Sequence, residues 1–496
     1  MYLLGYDIGS SSIKAGLVEA ATGRQVGLAR YPDKEMAMMA PQSGWAEQEP
    51  EVWWQHLIAA THRLLQSTQV EPASIRAIGI SYQMHGLVLV DKQKEVLRPA
   101  IIWCDSRAVS IGHTAFEDLG SEFCLSHLLN SPGNFTASKL KWVKDNEPAI
   151  YERIHKIMLP GDFIAMKLTG ELNTTVSGLS EGVFWDFAEH KISEALLNYF
   201  DFDQALFPEI VESAALHGEL SAEAANLTGL RQGTPVSFRA GDQPNNAMSL
   251  NVLNPGEIAA TAGTSGVVYG VVDKPVFDPR SRVNGFAHIN HSKEANRIGI
   301  LLCINGAGRQ WAWLREQISP AGLLDYAAME AAAASTPVGS DGISVLPFGN
   351  GAERILGNRN LGSHWLGLEF NRHNLNHLYR AALEGIAFSF VYGMNIMKQM
   401  GIKVEVIKVD NGNMFRSPIM ASTVASSLGC SIEVMDTTGA YGTARAAGVA
   451  IGEYENMEEA QQGIGLDYVV EPTPGKGLHE AYELWLNRLN KQMSEH

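Results

Sequence analysis

The stretch that decides the fold class reads Leu3-Leu4-Gly5-Tyr6-Asp7-Ile8-Gly9-Ser10-Ser11-Ser12-Ile13-Lys14. An apolar strand delivers the carboxylate of Asp7 into a turn of glycine and serine, and a second strand over 13–20 leads back out. The N–H and O–H donors of such a turn suit a phosphate group, and a carboxylate one step earlier suits a metal ion. This stretch therefore predicts a phosphate-binding hairpin.

A second hairpin of the same design lies near the middle of the chain and reads Ile258-Ala259-Ala260-Thr261-Ala262-Gly263-Thr264-Ser265-Gly266-Val267-Val268-Tyr269. One glycine-rich turn is a weak signal, because such turns occur in many unrelated proteins. A pair of them, one at the start of each half, is more specific. The pair predicts a nucleotide held between two related domains.

The order of predicted elements supports a duplicated α/β architecture. Strands are expected at 2–8, 13–20 and 25–31 before a helix that begins near Pro50, and the first half continues with strands at 75–81 and 96–103. The second half repeats this order, with elements expected at 257–262, 266–272, 297–304, 308–317, 342–347, 374–400, 404–410, 418–428, 431–435 and 443–452. A three-stranded meander followed by alternating helices and strands predicts a mixed sheet in each domain. The predicted domains are 1–245 and 246–477, followed by a C-terminal helix within 478–496 whose packing partner is open.

Composition narrows the class of protein. The 496 residues are 45% hydrophobic and 19% charged, as expected for a globular chain of two or three domains. The net charge of −16 argues against a nucleic-acid partner but is compatible with a small anionic ligand. Neither a signal peptide nor a membrane-spanning segment is recognisable. The spacing of the four cysteines is not that of a zinc site, and so small a number fits a reducing cytoplasm. They are Cys104, Cys124, Cys303 and Cys430.

Further segments carry a family resemblance when they are taken with the two hairpins. They are Gly44-Trp45-Ala46-Glu47-Gln48-Glu49-Pro50, Gln83-Met84-His85-Gly86, Leu97-Arg98-Pro99-Ala100-Ile101-Ile102-Trp103-Cys104-Asp105 and Ala240-Gly241-Asp242-Gln243. In this order along the chain, from Tyr2 to about Gly452, the sequence resembles the FGGY family of carbohydrate kinases. The stretch 83–86 is more similar to the xylulokinases of that family than to its glycerol kinases. The resemblance implies two ribonuclease-H-like domains with mixed sheets, of the actin and hexokinase ATPase type, around a central cleft.

The resemblance assigns Asp242 the role of catalytic base. Phosphoryl transfer to an alcohol needs alignment, charge neutralisation and an acceptor for the hydroxyl proton, and a carboxylate can supply that acceptor. The local alternative is a helix N-cap, because Pro244 follows at an early helical position. The two interpretations are compatible.

The resemblance also implies how the nucleotide and Mg²⁺ bind. Asp7 would help to hold Mg²⁺, although a turn-forming aspartate is the local alternative. Asn411 replaces the first glycine of the family's adenosine segment, which leaves the adenine contacts open. Lys14 could equally be a solvated strand residue, and Gly306 a strand-to-helix turn. The residues expected at ATP are Ser10, Ser11, Ser12, Lys14, Gly263, Thr264, Ser265, Gly306, Gln310, Gly412, Asn413 and Arg416.

The sugar is expected to contact Met84, His85, Asp105, Asp242 and Gln243 by the same resemblance. A histidine near a strand end is more often structural, and Asp105 could instead be a cap or the partner of Arg107. Trp45 and Trp103 are candidates for the aromatic side chains that line the sugar site. The default interpretation of either is a position in the hydrophobic core.

The expected activity is ATP-dependent phosphorylation of D-xylulose at its C5 hydroxyl, with Mg²⁺, by a cytoplasmic enzyme that has no nucleic-acid or membrane partner. One alternative is a kinase of the same family that acts on ribulose, fuculose, gluconate or glycerol. The alternative from another class is an actin- or chaperone-like ATPase without a sugar substrate. Family members are often dimers, so a homodimer is among the expected assemblies, although no segment marks an interface.

Overall fold

The computed structural model describes residues 1–319, 322–475 and 477–495. Two mixed sheets form the centres of its two halves. The strands of the N-terminal half are β1 (Tyr2–Ile8), β2 (Ile13–Glu19), β3 (Gln25–Tyr31), β4 (Glu47–Gln48), β5 (Ile75–Tyr82), β6 (Val88–Val90), β7 (Ala100–Ile101), β8 (Lys156–Met158), β9 (Asn173–Thr175), β10 (Trp185–Asp186), β11 (Lys191–Ile192), β12 (Glu209–Val211), β13 (Gly218–Glu219) and β14 (Pro235–Gly241). Those of the C-terminal half are β15 (Ile258–Ala262), β16 (Gly266–Val272), β17 (Asn284–Ala287), β18 (Ile298–Ile304), β19 (Ser344–Phe348), β20 (Gly362–Leu366), β21 (Val406–Asp410), β22 (Ser431–Asp436) and β23 (Gly465–Val470).

Helices surround both sheets. The N-terminal half contains α1 (Pro50–Thr68), α2 (Val109–Leu119), α3 (Ser121–His127), α4 (Thr136–Asn146), α5 (Pro148–Tyr151), α6 (Pro160–Thr169), α7 (Val176–Glu181), α8 (Glu194–Phe200), α9 (Ala222–Thr228) and α10 (Asp242–Ser249). The C-terminal half contains α11 (Ala307–Ile318), α12 (Tyr326–Ala334), α13 (Leu375–Gln399), α14 (Pro418–Leu428), α15 (Gly439–Ala447), α16 (Met457–Gln461) and α17 (Leu478–Glu495).

The two sheets repeat one topology. The N-terminal sheet has the strand order β13-β14-β5-β1-β2-β3, and the C-terminal sheet has the order β17-β18-β16-β15-β21-β22-β23. Each sheet contains a tight antiparallel hairpin, which is β1–β2 in the first sheet and β15–β16 in the second. The first strand of each hairpin also pairs with a parallel strand, β1 with β5 and β15 with β21. The predicted α/β fold with two ribonuclease-H-like domains is confirmed.

Helices α10 and α15 cross between the two sheets, and their crossing is very close. Helix α15 lies on β1, β2 and β5 at positions where the sheet has Gly5, Gly16 and Gly79. A Cβ atom at Gly5 would overlap the carbonyl oxygen of Ala440 in α15. The buried Asn245 of α10 joins the helices, because its amide donates to the Gly439 carbonyl at 3.1 Å and its oxygen accepts from Thr443 at 2.8 Å. The halves are therefore joined through backbone contact rather than through large side chains.

A long insertion between β5 and β14 forms a second junction between the halves. Asn130 donates to the carbonyl of Gly285 in the edge strand β17 at 2.7 Å. Ser177 and Ser180, in α7, bond the carbonyl and the N–H of Ala287 in the same strand at 3.0 and 2.9 Å. Because these serines lie in α7, they fix that helix, and Glu181 at its end, relative to the C-terminal sheet.

The C-terminal helix α17 packs on the C-terminal half. Trp485 is buried and donates its indole N–H to the carbonyl of Val345 in β19 at 2.7 Å. Arg488 bonds the Gly342 and Leu366 carbonyls around the same hairpin. The packing partner that the sequence leaves open is thus the β19–β20 hairpin. Across the described ranges, none of the helices combines the length and the apolar character needed to cross a bilayer.

Two predicted elements differ from the structure. The expected strand at 96–103 shrinks to Ala100–Ile101, because Pro99 cannot donate to a sheet ladder. The helix expected at 443–452 begins earlier, at Gly439, and ends at Ala447, before Gly448. The domain limits 1–245 and 246–477 remain predictions.

Replacing Gly5 by alanine should destabilise the junction of the two halves. The added methyl group meets the rigid backbone of α15, so we expect the free energy of unfolding to fall by about 1–3 kcal/mol. Chemical denaturation measures the change. The matched control is Gly465→Ala in the edge strand β23, where the nearest atom to an added Cβ is 3.9 Å away. Equal stability of the two variants would contradict the close packing of α15 on β1.

Candidate active site

The two predicted phosphate turns open into one cleft between the halves. A cavity of about 330 Å³ lies between the ends of β1, β15 and β21 and the first turns of α10 and α15. Of the predicted site residues it brings together Asp7, Lys14, Gln243 and Gly412. Further polar residues line it that sequence reasoning did not single out: Asn246, Thr261, Asp410, Thr437 and Thr438.

Asp7 and Lys14 form an ion pair at the mouth of the first turn. They are opposite each other in the β1–β2 ladder, and the Lys14 ammonium donates to Asp7 Oδ2 at 2.9 Å. The charge of Asp7 is the largest influence on Lys14 and raises its pKa, and Asp242 raises it further. Lys14 therefore faces the acidic side chains of the cleft, which is not the arrangement of a freely solvated strand residue.

Asp242 lies between the two halves as the first residue of α10. Gly241, which has no side chain, occupies the N-cap position, so Asp242 is not itself the cap. The residue is partly exposed next to Gln243 of the cleft cavity, yet protein surrounds its carboxylate. Burial, and then the charge of Asp7, raise the pKa of Asp242 to about 7, against the lowering effects of Gln243 and Lys14. A carboxylate of this kind can take up a proton near neutral pH.

The turn that contains His85 is held from behind by buried residues. His85 has a left-handed backbone with a φ of 62°. Its Nδ1 lies 2.9 Å from the carbonyl of Glu181, so Nδ1 carries the hydrogen and Nε2 is left as an acceptor. Burial, and then Lys139, lower the pKa of His85 to about 3, which keeps the ring neutral. Lys139 donates to the His85 carbonyl at 2.8 Å and to the Ile102 carbonyl at 3.0 Å.

Asp105 has no free acceptor in this arrangement. It is fully buried, and its carboxylate accepts from the Ala46 N–H at 2.6 Å and from the Arg107 guanidinium at 2.7 Å. The geometry favours the alternative in which Asp105 is the partner of Arg107. Trp45 covers the same guanidinium at 3.7 Å. The sugar-contact role of Asp105 stays a prediction.

Trp103 does not have the core position that is its default. Its side chain is 49% exposed, and its indole N–H reaches the hydroxyl of Ser10 at 3.3 Å. Ser11 and Ser12 complete the first turn, in which the Ser12 carbonyl accepts from the Gly9 N–H at 3.1 Å. Trp103 therefore lies beside the first phosphate turn.

A larger cavity of about 990 Å³ adjoins the cleft on the C-terminal half. Five predicted ATP residues line it, namely Gly263, Thr264, Gly412, Asn413 and Arg416. Gly412 lines both cavities, so the two spaces are neighbours. Ser265 belongs to the same turn but lines neither of them. The walls include Trp311, Tyr326 and Met414, which suit a flat apolar base.

Gly306 and Gln310 do not line the larger cavity. With Trp313 they line a cavity of about 370 Å³ on the other face of α11, and Arg309 lines both cavities. Positions 306, 310 and 313 share one face of a helix, whereas 308, 311 and 312 share the opposite one. Within the described ranges the buried Gln310 amide has no hydrogen-bond partner. The predicted contact of Gly306 and Gln310 with ATP stays a prediction.

Asn411 does not adopt a left-handed backbone conformation, although it replaces a glycine of the family's adenosine segment. It is absent from the residues with positive φ, and its N–H donates to the Met435 carbonyl at 3.1 Å. Asp410 caps the following turn through the Gly412 N–H at 2.8 Å. The adenosine segment thus keeps an ordered turn without the glycine.

The cleft fits Mg²⁺ bound together with phosphates. In the described part of the chain no group of three or more His, Cys, Asp or Glu side chains could enclose a metal ion by itself. Asp7 and Asp410 both line the cleft cavity. Mg²⁺ in nucleotide sites is typically held by one or two carboxylates with phosphate oxygens and water, which is the donor set available here.

The residues missed from the sequence fall into two groups. Thr437-Thr438-Gly439 forms a third turn of small residues at the start of α15. Its composition is so similar to that of the other two turns that the sequence alone could have identified it. Lys139 and Glu181 support His85 from α4 and α7, and no local pattern marks them.

Comparisons with known proteins agree with this geometry. The FGGY family of carbohydrate kinases matches with its N-terminal domain over residues 2–249 and its C-terminal domain over 258–451. The xylulose kinase of Escherichia coli is 28% identical over 474 residues, which cover 92% of each chain. The L-xylulose/3-keto-L-gulonate kinase of Escherichia coli is 31% identical over 477 residues, covering 93% of this chain and 91% of that one. The solved xylulose kinase from Rhodospirillum rubrum superposes with a TM-score of 0.88 at 25% identity and covers 99% of each chain.

Replacing Asp105 by alanine should act on stability. The change removes one of the two carboxylates that pair with the buried Arg107 at 2.7 Å, the other being Glu47, and leaves the Ala46 N–H without its acceptor, so we expect the free energy of unfolding to fall by about 1.5–3 kcal/mol. Denaturant titration measures it. Asp33→Ala removes the carboxylate of an exposed pair with Arg63 and should cost less than about 1 kcal/mol. A stable Asp105→Ala protein with a raised KM for sugar would instead support the sugar-contact role.

Proposed function

Because the chain belongs to the FGGY family of carbohydrate kinases, we propose that it transfers the terminal phosphoryl group of ATP to the C5 hydroxyl of D-xylulose. The observation that carries the proposal is the position of Asp242. Its carboxylate lies near Asp7 and Lys14, which flank the first phosphate turn, and the next residue, Gln243, lines the cleft cavity. A carboxylate in that position can accept the proton of an alcohol that is being phosphorylated.

The nucleotide would lie across the two adjoining cavities. Its base and ribose occupy the larger cavity against Trp311 and Tyr326, and its phosphates extend past Gly412 towards the cleft. There the turns at 9–12 and 263–265 and the N-terminus of α15 offer N–H donors to the phosphates. Lys14 adds the positive charge.

Asp7 would hold Mg²⁺ beside the phosphates. When bound, the ion neutralises charge on the β- and γ-phosphates and so lowers the barrier to transfer. Lys14 keeps the Asp7 carboxylate oriented at the mouth of the turn through their 2.9 Å contact.

Asp242 would accept the proton of the C5 hydroxyl as that oxygen attacks the γ-phosphorus in line. The bond from the γ-phosphorus to the β-phosphate oxygen breaks, and ADP leaves with the electron pair. His85 Nε2 accepts from another sugar hydroxyl, because the hydrogen on its Nδ1 is directed to Glu181. Trp103 can close the sugar side against water, which would otherwise accept the phosphoryl group.

The choice of sugar is supported by the relatives. Proteins named xylulose kinase match nearly the whole chain at 26–28% identity, and the one at 31% is named for L-xylulose and 3-keto-L-gulonate. All of these compounds are ketoses or keto sugar acids with a free terminal hydroxyl. The alternatives are other substrates of the family, such as ribulose, fuculose, gluconate and glycerol.

A panel of sugars tests the substrate. We expect the highest kcat/KM for D-xylulose, ahead of L-xylulose, D-ribulose, gluconate and glycerol, in an assay that couples ADP release to NADH oxidation. A higher kcat/KM for another member of the panel would replace D-xylulose by that sugar. ATP hydrolysis at the same rate with and without sugar would support an actin- or chaperone-like ATPase instead.

The pH dependence tests the base. Asp242 must be ionised to accept a proton, and its pKa is raised to about 7, so kcat/KM should fall about tenfold per unit as the pH drops below about 7. Asp242→Ala should lower kcat by about 10²–10⁴-fold and should not weaken ATP binding, measured by calorimetry, because it removes a negative charge near the phosphates. Near-normal turnover in this variant would rule out Asp242 as the base. So would a wild-type kcat/KM that begins to fall only near pH 4.

A further inference from the structure

Glu181 is a fully buried carboxyl that the phosphoryl-transfer mechanism does not use. It is the last residue of α7, and it contacts His85 twice. Its backbone carbonyl accepts the Nδ1 hydrogen of His85 at 2.9 Å, and its Oε1 accepts the His85 backbone N–H at 3.4 Å. One residue therefore holds both the ring and the backbone of a predicted sugar contact.

The second carboxyl oxygen of Glu181 is directed at the loop that carries Asp242. Oε2 is buried and makes no hydrogen bond of full geometry in the part of the chain that the structure describes, although the Tyr82 hydroxyl lies close enough to the carboxyl to interact with it. It lies against Gly241, where an added Cβ would overlap it and would come within 2.6 Å of Met84 Cγ. The absence of a side chain at 241 thus allows Glu181 and Met84 to meet the loop of the proposed base.

The turn at Met84–His85 has its conformation fixed from the protein side. His85 has a positive φ, which a non-glycine residue adopts only where its surroundings favour it. Its N–H and Nδ1–H bond Glu181, and its carbonyl accepts from Lys139. Only Nε2, among the polar atoms of His85, remains available to a sugar.

We propose that Glu181 is a positioning residue of the sugar site, which holds the Met84–His85 turn in its left-handed conformation against the Gly241–Asp242 loop. The proposal rests on the proposed function, because Met84, His85 and Asp242 are the sugar-binding residues and the base of that function. It adds a residue that touches neither substrate but fixes the distance between the sugar and its base.

The groups around Glu181 determine its charge. Tyr82, His85, Lys139, Asp162 and Asp242 face it from the surrounding elements, and Arg239 behind them is paired with Asp162 at 3.0 Å. Burial, and then the charge of Asp242, hold the pKa of Glu181 well above its usual range. The ammonium of Lys139 bonds two carbonyls and not this carboxyl. Burial and the neighbouring Asp242 therefore act in the same direction on Glu181, against its ionised form.

Two substitutions of Glu181 separate positioning from general stability. Glu181→Met keeps the volume but removes the acceptor of the His85 N–H, so the KM for D-xylulose should rise about tenfold or more while the KM for ATP stays within about twofold. Glu181→Gln supplies a neutral acceptor and should restore the sugar KM. The matched control is Glu189→Met, an exposed glutamate eight residues further on.

The outcomes are distinguishable from failure of the proposed function. If the wild-type enzyme phosphorylates no sugar of the panel, the proposed function is wrong, and with it the basis of this inference. With an active wild type, equal rises of both KM values in Glu181→Met would overturn the positioning role. So would a Glu181→Gln variant whose sugar KM stays as high as that of Glu181→Met. Should Glu181→Met not fold, Glu181→Asp shortens the side chain, withdraws the acceptor from the His85 N–H and should raise only the sugar KM.

Discussion

The close crossing of α10 and α15 between the two sheets is the constraint on which the active cleft depends. Gly5, Gly16 and Gly79 leave room for α15 to lie directly on the N-terminal sheet, and Asn245 bonds the two helices at their crossing. Because both helices begin on the same side, Asp242 and Thr438 face one cleft from opposite halves. Wider spacing would move the proposed base away from the phosphate turns.

This crowding also sets the electrostatics of the cleft. Asp242 lies near the charge of Asp7, Glu181 lies near the charge of Asp242, and the lysines among these acids are Lys14 and Lys139. Lys14 pairs with Asp7, burial lowers the pKa of Lys139 to about 7, and burial together with the neighbouring acid raises the pKa of Asp242 and of Glu181. A bound nucleotide brings more negative charge and would raise the pKa of Asp242 further. A cation beside Asp7 opposes that rise, so metal binding and the basicity of Asp242 are linked.

The features that the sequence predicted are those that local patterns encode. The hairpins 2–19 and 258–272 follow from strand alternation and small-residue turns, and Asp242 follows from a family motif. The faces of helices and the buried support residues depend on tertiary packing instead. Gln310 was assigned to ATP from a segment match, yet helical periodicity turns it away from Gly308 and the large cavity. Glu181 and Lys139 acquire their roles only when α7 and α4 reach the His85 turn, about 50 to 100 residues away in sequence.

The same distinction bears on how one fold serves several sugars. The predicted phosphate turns and the proposed base lie next to the crossing of α10 and α15, where an added Cβ at Gly5 or Gly79 would overlap the backbone of α15. The sugar turn is instead held by side chains from an insertion that is fastened to β17 through Asn130, Ser177 and Ser180. A change in those supports can move His85 without disturbing the phosphate turns. Relatives that share less than a third of their residues with this chain can therefore keep the phosphoryl-transfer machinery while the position of the sugar turn, and with it the preferred sugar, diverges.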